Sequence, residues 1–265
     1  MTHHNRDAYG FIAELDPSSL PIESYRSANS AGDGNGHRKH GSMGRARWEN
    51  ATLAVDSNYK LLDQQPIVIY AGNDRRGGRI YKWVSSSVYT NGMTKAQVRA
   101  LMDSGKIYVA HFAEFDNTTG YQLKGGVVPT ESAPGTGIWI GLSVDNHTQV
   151  APNAEMMVSG NASRLALWGA MAKATSVGNA LLDINWNGLA GFPSDNFVKT
   201  SLFTAAAKIG VMELNRPEDI EWNPKAKKLN GETVGRLFVA FTKHGRANQL
   251  NQDGIRYVGD ASTDT

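Results

Sequence analysis

One short run of residues combines the side chains that bind phosphate groups and metal ions. Residues 216–224 read RPEDIEWNP, so an arginine directly precedes a proline, and three carboxylates lie between that proline and a second one. The prolines fix φ and bias the residues before them towards extended backbone, which favours a stiff ribbon over a helix. Carboxylate oxygens suit hard cations, and a guanidinium can hold two oxygens of a phosphate. The run therefore predicts a phosphate or metal site, with an ordinary polar turn as the alternative.

A second group of polar residues lies in a glycine-rich turn. Residues 72–79 read GNDRRGGR, and the glycines predict a hairpin tip that presents Asp74. The run is only superficially similar to a phosphate-binding P-loop, because it lacks the lysine of that motif and leads into a strand. We therefore reject a nucleotide site here. Glu49, just ahead of an apolar strand, is a further carboxylate that alone indicates little.

Composition places the chain among ordinary globular proteins and excludes several kinds of site. Of its 265 residues 40% are hydrophobic and 20% are charged, and the net charge of +2 is too small to indicate a nucleic-acid partner. The absence of cysteine excludes disulfides, thiolate metal ligands and a cysteine nucleophile. No apolar run approaches the roughly 18 residues that span a bilayer, and residues 1–7 lack the apolar segment of a secretory signal.

The spacing of turn residues predicts a mainly β fold. The 28 glycines and nine prolines are spread along the chain, which indicates many turns between short elements. Strand-like runs recur at residues 9–16, 51–56, 67–71, 79–85, 107–113, 137–143 and 236–242. We expect one domain, residues 1–265, with partial propeller-like antiparallel sheets and short helical insertions.

Three other segments interrupt the strand pattern. Residues 27–44 are rich in glycine, serine, asparagine and histidine, which predicts a flexible loop. Thr94 and Gln97 form a capping-box pattern at the start of a short helix. A helical insertion is predicted at about residues 154–210, with core-packing helices at 162–175 and 201–209.

Four segments occur in an order that is similar to one known family. They are residues 9–17, then 43–45 with 49–51, then 70–74 with 78–85, then 216–219. Together they resemble the PhoX-type alkaline phosphatases, a bacterial β-propeller family. The resemblance runs from about residue 9 to 245 and is loose between 86 and 212.

This resemblance implies a function and a set of site residues. It implies a phosphoric monoester hydrolase that is periplasmic or secreted, with a phosphomonoester substrate and a site that joins calcium and iron ions through a bridging oxygen. Arg216 matches the arginine expected to bind phosphate, and with Glu218 it is the expected catalytic pair. Glu49, Glu218 and Asp74 are the expected metal ligands, and Lys82 is an expected phosphate-binding residue.

The chain also departs from the family pattern. The family carries a Cys-Glu-Glu stretch that helps to hold its metals, whereas this chain has no cysteine to hold iron. Trp48 stands where the family usually has histidine, and Asn73 replaces an aspartate. We infer a central fragment or a shortened relative. Exposed strand edges of a partial propeller would favour self-association or pairing with a complementing chain.

Two alternatives to a working phosphatase follow from these residues. One is a calcium- or phosphate-binding propeller fragment that lacks the family's cysteine and does not turn over substrate. The other is an interaction protein in which the arginine and carboxylates form only surface ion pairs, each contributing about 0–1 kcal/mol.

Overall fold

The part of the chain that the computed structural model describes is built mainly from antiparallel β-strands. It comprises residues 9–18, 36–112, 132–152, 175–184, 186, 189–211, 214–228 and 230–241. Within these ranges one five-stranded sheet and three two-stranded sheets form, and each strand pair is antiparallel. The predicted mainly β class is confirmed.

The strands are joined by turns and short helices. The strands are β1 (Ala13–Glu14), β2 (Arg38–Lys39), β3 (Trp48–Leu53), β4 (Gln65–Asn73), β5 (Arg76–Gly78), β6 (Ile80–Tyr89), β7 (Gly105–Phe112), β8 (Gly137–Gly141), β9 (Leu214–Asn215), β10 (Pro217–Asn223) and β11 (Arg236–Phe241). The helices are α1 (Lys95–Leu101), α2 (Val177–Leu182), α3 (Asp195–Thr200) and α4 (Leu202–Lys208), and a 3-10 turn spans Gly41–Met43. In the described ranges, no helix has the length and apolar character that a membrane crossing requires.

The main core lies on one face of the five-stranded sheet, whose strand order is β3-β4-β6-β7-β8. Successive side chains of a strand point to opposite faces, so Ile67 and Ile69 of β4 share the core face. Helices α2 to α4 cover this face with small and aliphatic side chains, including Leu181, Val198, Leu202, Ala205 and Ile209, all essentially inaccessible to solvent. Burial of this layer is the main source of stability.

A hairpin formed by β10 and β11 covers part of the opposite face. Ile220 of β10 is fully buried and packs in one cluster with Ile80 and Ala110 of the sheet. Polar bonds fix its position, because the Asn50 side chain donates to the Ile220 carbonyl at 3.2 Å and the Trp222 indole donates to the Val55 carbonyl at 2.9 Å. The ribbon predicted for residues 216–224 is thus a strand laid on the sheet.

Some of the local structure predicted from the sequence is present among these elements. The capping box at Thr94 and Gln97 is present at the start of α1. Residues 36–44 of the predicted loop contain β2 and the 3-10 turn, while residues 27–35 lie outside the described ranges. The helix predicted at 201–209 corresponds to α4. The helix predicted at 162–175 falls almost entirely outside the described residues.

The outer edge of β8 is closed by side-chain amides. Gln149 accepts a hydrogen bond from the Gly141 N–H at 2.8 Å and donates to the Trp139 carbonyl at 2.9 Å. Asn146 donates to the Gly141 carbonyl at 2.8 Å. Backbone groups that could pair with another strand are therefore occupied along this stretch.

Replacing Gln149 tests the function of this edge. Gln149→Leu would leave the Gly141 N–H and the Trp139 carbonyl without their amide partner, so we expect a loss of about 1–2 kcal/mol in the free energy of unfolding. We also expect concentration-dependent association, measured by light scattering beside urea denaturation. Gln65→Leu makes the same change at an exposed position of β4. Equal stability and equal association in both variants would contradict this function.

Lys208 is a fully buried cation at the end of α4. Its Nζ donates to the carbonyl oxygens of Asp183 at 2.7 Å, Trp186 at 3.1 Å and Leu189 at 2.6 Å. Burial lowers the pKa of Lys208 to about 8, against the smaller opposing effect of the Asp183 charge. The ammonium ties α4 to the segment that follows α2.

This lowered pKa makes stability depend on pH in a defined direction. Above about pH 8 the folded protein releases the Lys208 proton, whereas the unfolded chain keeps it up to its ordinary pKa of 10.5. The unfolded state then binds more protons, so the free energy of unfolding contributed by Lys208 rises with pH across this window. Urea denaturation at about pH 7.5 and about pH 9.5 should show a more positive pH slope for wild type than for Lys208→Met. Identical slopes would contradict the prediction.

Candidate functional site

A short pair of strands brings the two predicted polar segments together. β5, in the turn between β4 and β6, pairs with β9, which directly precedes Arg216. Close packing in this turn requires glycine at 78, because a Cβ there would lie 2.0 Å from the Asn73 carbonyl oxygen and 2.9 Å from Cδ of Pro217. Asp74 and Arg216, 142 positions apart in the chain, thereby become neighbours.

Arg216 is held between two carboxylates. Its Nε donates to Oδ1 of Asp74 at 2.8 Å and its Nη2 donates to Oδ2 at 3.2 Å, which is a bidentate pairing. Nη2 also lies 2.9 Å from Oε1 of Glu218. The side chains of Arg216, Asp74 and Glu218 are 36%, 17% and 29% exposed, so the cluster lies at the surface of the fold.

The charge state of this arginine follows from its neighbours. The hydrogen bond to Asp74 is the largest effect and raises the pKa of Arg216, partly opposed by desolvation. The negative charges of Asp74, Glu218 and Glu49 raise this pKa further. The guanidinium is therefore charged at any pH at which the protein is folded.

The backbone at Arg216 has an uncommon conformation. Its φ is +43°, in the left-handed region that a residue with a side chain seldom adopts. The Arg216 N–H donates to the Leu214 carbonyl at 3.0 Å, which closes a tight turn. On the other side of the ion pair, the Asp74 N–H donates to the Arg47 carbonyl at 2.9 Å. Both partners are thus positioned by backbone bonds as well as by each other.

A cleft opens beside the cluster. Its volume is about 370 Å³, and its walls include Phe11, Arg47, Trp48, Glu49 and Asp74. Glu49 belongs to β3, and its charge acts on Arg216. The structure therefore brings Glu49, Asp74, Arg216 and Glu218 into one region.

Lys82 lies in different surroundings. In the alternating pattern of β6 it shares the sheet face of Ile80, and its Nζ lies 4.9 Å from the Tyr108 ring centroid and 4.6 Å from that of Trp139. Burial lowers the pKa of Lys82 below its ordinary value. These contacts give Lys82 a cation–π role in packing. Its predicted role in phosphate binding stays a prediction.

The predicted metal ligands are of a suitable chemical type but are not assembled as a metal site. Across the described residues, no three histidine, aspartate or glutamate side chains form a group that could hold a metal ion. Asp74 and Glu218 are instead paired with Arg216. The described residues do not, by themselves, fit the predicted calcium and iron cluster.

Sequence reasoning missed a buried arginine that positions this region. Arg79 is fully buried, and its Nε and Nη2 donate to the Val211 carbonyl at 3.0 and 2.7 Å. The bonds join the residue just before β6 to the segment that connects α4 with β9. The sequence feature that could have identified it is a charged residue directly before the apolar start of β6. Such a residue must find buried partners.

Together, the sheet topology and this cluster define a mainly β protein with an arginine and carboxylates gathered at the rim of a sheet. The chain belongs to the alkaline phosphatase PhoX family, whose model matches residues 2–259. The family expected from the sequence is confirmed, and it is a family of metal-dependent phosphatases.

Comparison with solved structures supports the same fold. The chain is similar to Pseudomonas fluorescens PhoX, solved in complex with vanadate, a transition state analogue, with a TM-score of 0.54 and 22% sequence identity. The match covers 95% of this chain and 31% of that one. This chain therefore corresponds to about a third of the length of that protein. No curated protein matches the chain.

Removing one carboxylate tests how the cluster is held. In Asp74→Asn an amide N–H would face the Nη2 donor of Arg216, so we expect a small decrease in the free energy of unfolding, measured by urea denaturation. Asp219→Asn makes the same change at an exposed position of β10 and should have little effect. An equal effect of the two substitutions would show that the Asp74 pairing contributes nothing particular.

Proposed function

We propose that the chain carries part of the substrate site of a phosphomonoester hydrolase, in which Arg216 binds the phosphoryl group. The supporting observation is the state of its guanidinium. Nε and Nη2 are held by Asp74 and Glu218, whereas Nη1 has no hydrogen-bond partner among the described residues. Two N–H donors on a fixed, charged and partly exposed group are thus available to phosphate oxygens.

The same arrangement suits the chemistry of phosphoryl transfer. Negative charge on the transferred group is spread over its equatorial oxygens in the transition state, and donors that are already oriented stabilise that charge without reorganisation. Asp74 and Glu218 orient the Arg216 guanidinium before substrate arrives. Arg216 is the proposed phosphate-binding residue, and Glu218 is its proposed orienting partner.

The charge of the cluster supports the need for a further cation. Glu49, Asp74 and Glu218 contribute three carboxylates against the single charge of Arg216, so a phosphate dianion would meet net repulsion. Calcium and iron, as the resemblance implies, supply positive charge when bound. Since the described residues do not assemble that site, the proposal assigns no step to the metals, and their identity stays a prediction.

Location and assembly are also proposed from the resemblance. We take the substrate to be a phosphomonoester and the location to be periplasmic or secreted. Self-association or a complementing chain at strand edges stays a proposal too. Pairing along the outer edge of β8 is disfavoured, because Gln149 already occupies the backbone groups of Trp139 and Gly141.

Replacing Arg216 tests the proposed phosphate contact. Arg216→Gln removes the charge and the planar fork, so we expect the affinity for inorganic phosphate to fall by at least about tenfold. Isothermal titration calorimetry, with and without added calcium, measures this. Arg236→Gln makes the same change at the start of β11 and should bind like wild type.

Turnover of p-nitrophenyl phosphate by the same proteins separates catalysis from binding. We expect wild-type turnover to fall about 10²–10³-fold in Arg216→Gln. Phosphate binding without turnover would indicate the non-catalytic binding fragment instead. Phosphate affinity that is unchanged in Arg216→Gln would overturn the proposed contact.

A further inference from the structure

The cleft beside the arginine cluster has a volume and a lining that suit the alcohol part of an ester. Its volume of about 370 Å³ lies in the range of small-molecule sites, which is roughly 300–1,000 Å³. Glu49 and Asp74 line it, and the charges of both act on Arg216. Two aromatic residues, Phe11 and Trp48, belong to the same lining. A ligand that fills the cleft therefore lies against Phe11 and Trp48 and reaches Asp74, the carboxylate that pairs with Arg216.

The aromatic walls are held in place by the fold. The Trp48 ring meets Tyr81 edge-on, with 5.5 Å between centroids, and Tyr81 is buried in the main core. The segment that carries Phe11 is bonded to the segment that precedes β3, because the Ala46 N–H donates to the Gly10 carbonyl at 3.0 Å. Rigid aromatic side chains bind with little loss of conformational entropy.

The charges around Phe11 favour an anionic ligand. Nζ of Lys39 lies 5.7 Å and Cζ of Arg45 lies 5.8 Å from the centroid of the Phe11 ring. The exposed Arg47 also lines the cleft. Arg47 thus lines the cleft, and two further cations lie close to the Phe11 ring, opposite in sign to the carboxylates of Glu49 and Asp74.

We propose that Phe11 and Trp48 form a subsite for the alcohol part of the substrate, and that this subsite selects phosphomonoesters of aromatic alcohols. The inference rests on the proposed function, because it places the phosphoryl group at Arg216. An aromatic ring in the cleft can stack on Phe11 and Trp48, whereas a small alkyl group cannot make these contacts. Phe11 and Trp48 are specificity-determining residues in this arrangement, and they take no part in the chemistry.

Two phosphonates that cannot be hydrolysed as esters test the subsite without requiring turnover. Calorimetry gives the dissociation constants of phenylphosphonate and methylphosphonate for wild type, Phe11→Leu and Phe197→Leu. Phe197 lies on α3 and is 57% exposed, so its variant is a matched control. We expect wild type to prefer phenylphosphonate about tenfold, Phe11→Leu to reduce that preference to about twofold, and Phe197→Leu to retain it. Trp48→Phe, which keeps an aromatic ring, should retain most of it.

The outcomes distinguish this inference from the proposed function. Equal affinity of wild type for the two phosphonates, or an unchanged preference in Phe11→Leu with native circular dichroism, would overturn the subsite while leaving phosphate binding by Arg216 intact. Binding of neither phosphonate, either with or without added calcium, would overturn the proposed function, and the subsite with it. A preference that falls in Phe11→Leu alone would establish the subsite.

Discussion

Arg216 and Asp74 connect two parts of the chain that the sheet would otherwise leave separate. Asp74 lies in the turn between β4 and β6, while Arg216 lies between β9 and β10. The short β5–β9 pairing closes the same junction through backbone bonds. The course of β10 across the sheet begins at this junction. Glu218 and Ile220 follow this junction within the next few residues of the chain.

The sequence predicted those features whose causes are local. A threonine and a glutamine three positions apart are enough to start α1, because the capping bonds join residues that are already neighbours. The glycines of residues 72–79 predicted a hairpin, and β4 and β6 do pair from Gly72 and Ile80 as far as Val68 and Val84, where the register shifts. The resemblance, carried by short motifs, also identified the residues that gather around Arg216.

Other features depend on contacts that no local pattern contains. β9 has two residues and β5 has three, so neither shows a period, and their pairing follows from the packing of distant segments. Lys82 illustrates a different limit. The resemblance implies a phosphate-binding role for it, and only the folded sheet shows that its side chain also lies against Tyr108 and Trp139. The amide of Gln149 can close the edge of β8 only after the sheet exists.

The cluster around Arg216 contains carboxylates of the type that the family resemblance implies, but the described residues do not assemble a complete metal site. The chain belongs to the PhoX family, which is a family of metal-dependent phosphatases. The cluster contains the oxygen donors that hard cations prefer, together with an arginine already committed to two of those carboxylates. A bound cation near Asp74 or Glu218 must therefore compete with Arg216 for the same oxygens. This competition would link metal affinity to the orientation of the guanidinium.

The separation of 142 positions between Asp74 and Arg216 has a consequence for the order of assembly. β3, β4, β6 and β7 pair with near neighbours in the chain, so the entropy cost of bringing them together is small. The junction at Arg216 requires a much longer loop to close, and contacts of this kind form late in folding. During synthesis, the sheet can therefore begin to pair before the ribosome has added Arg216 to the chain.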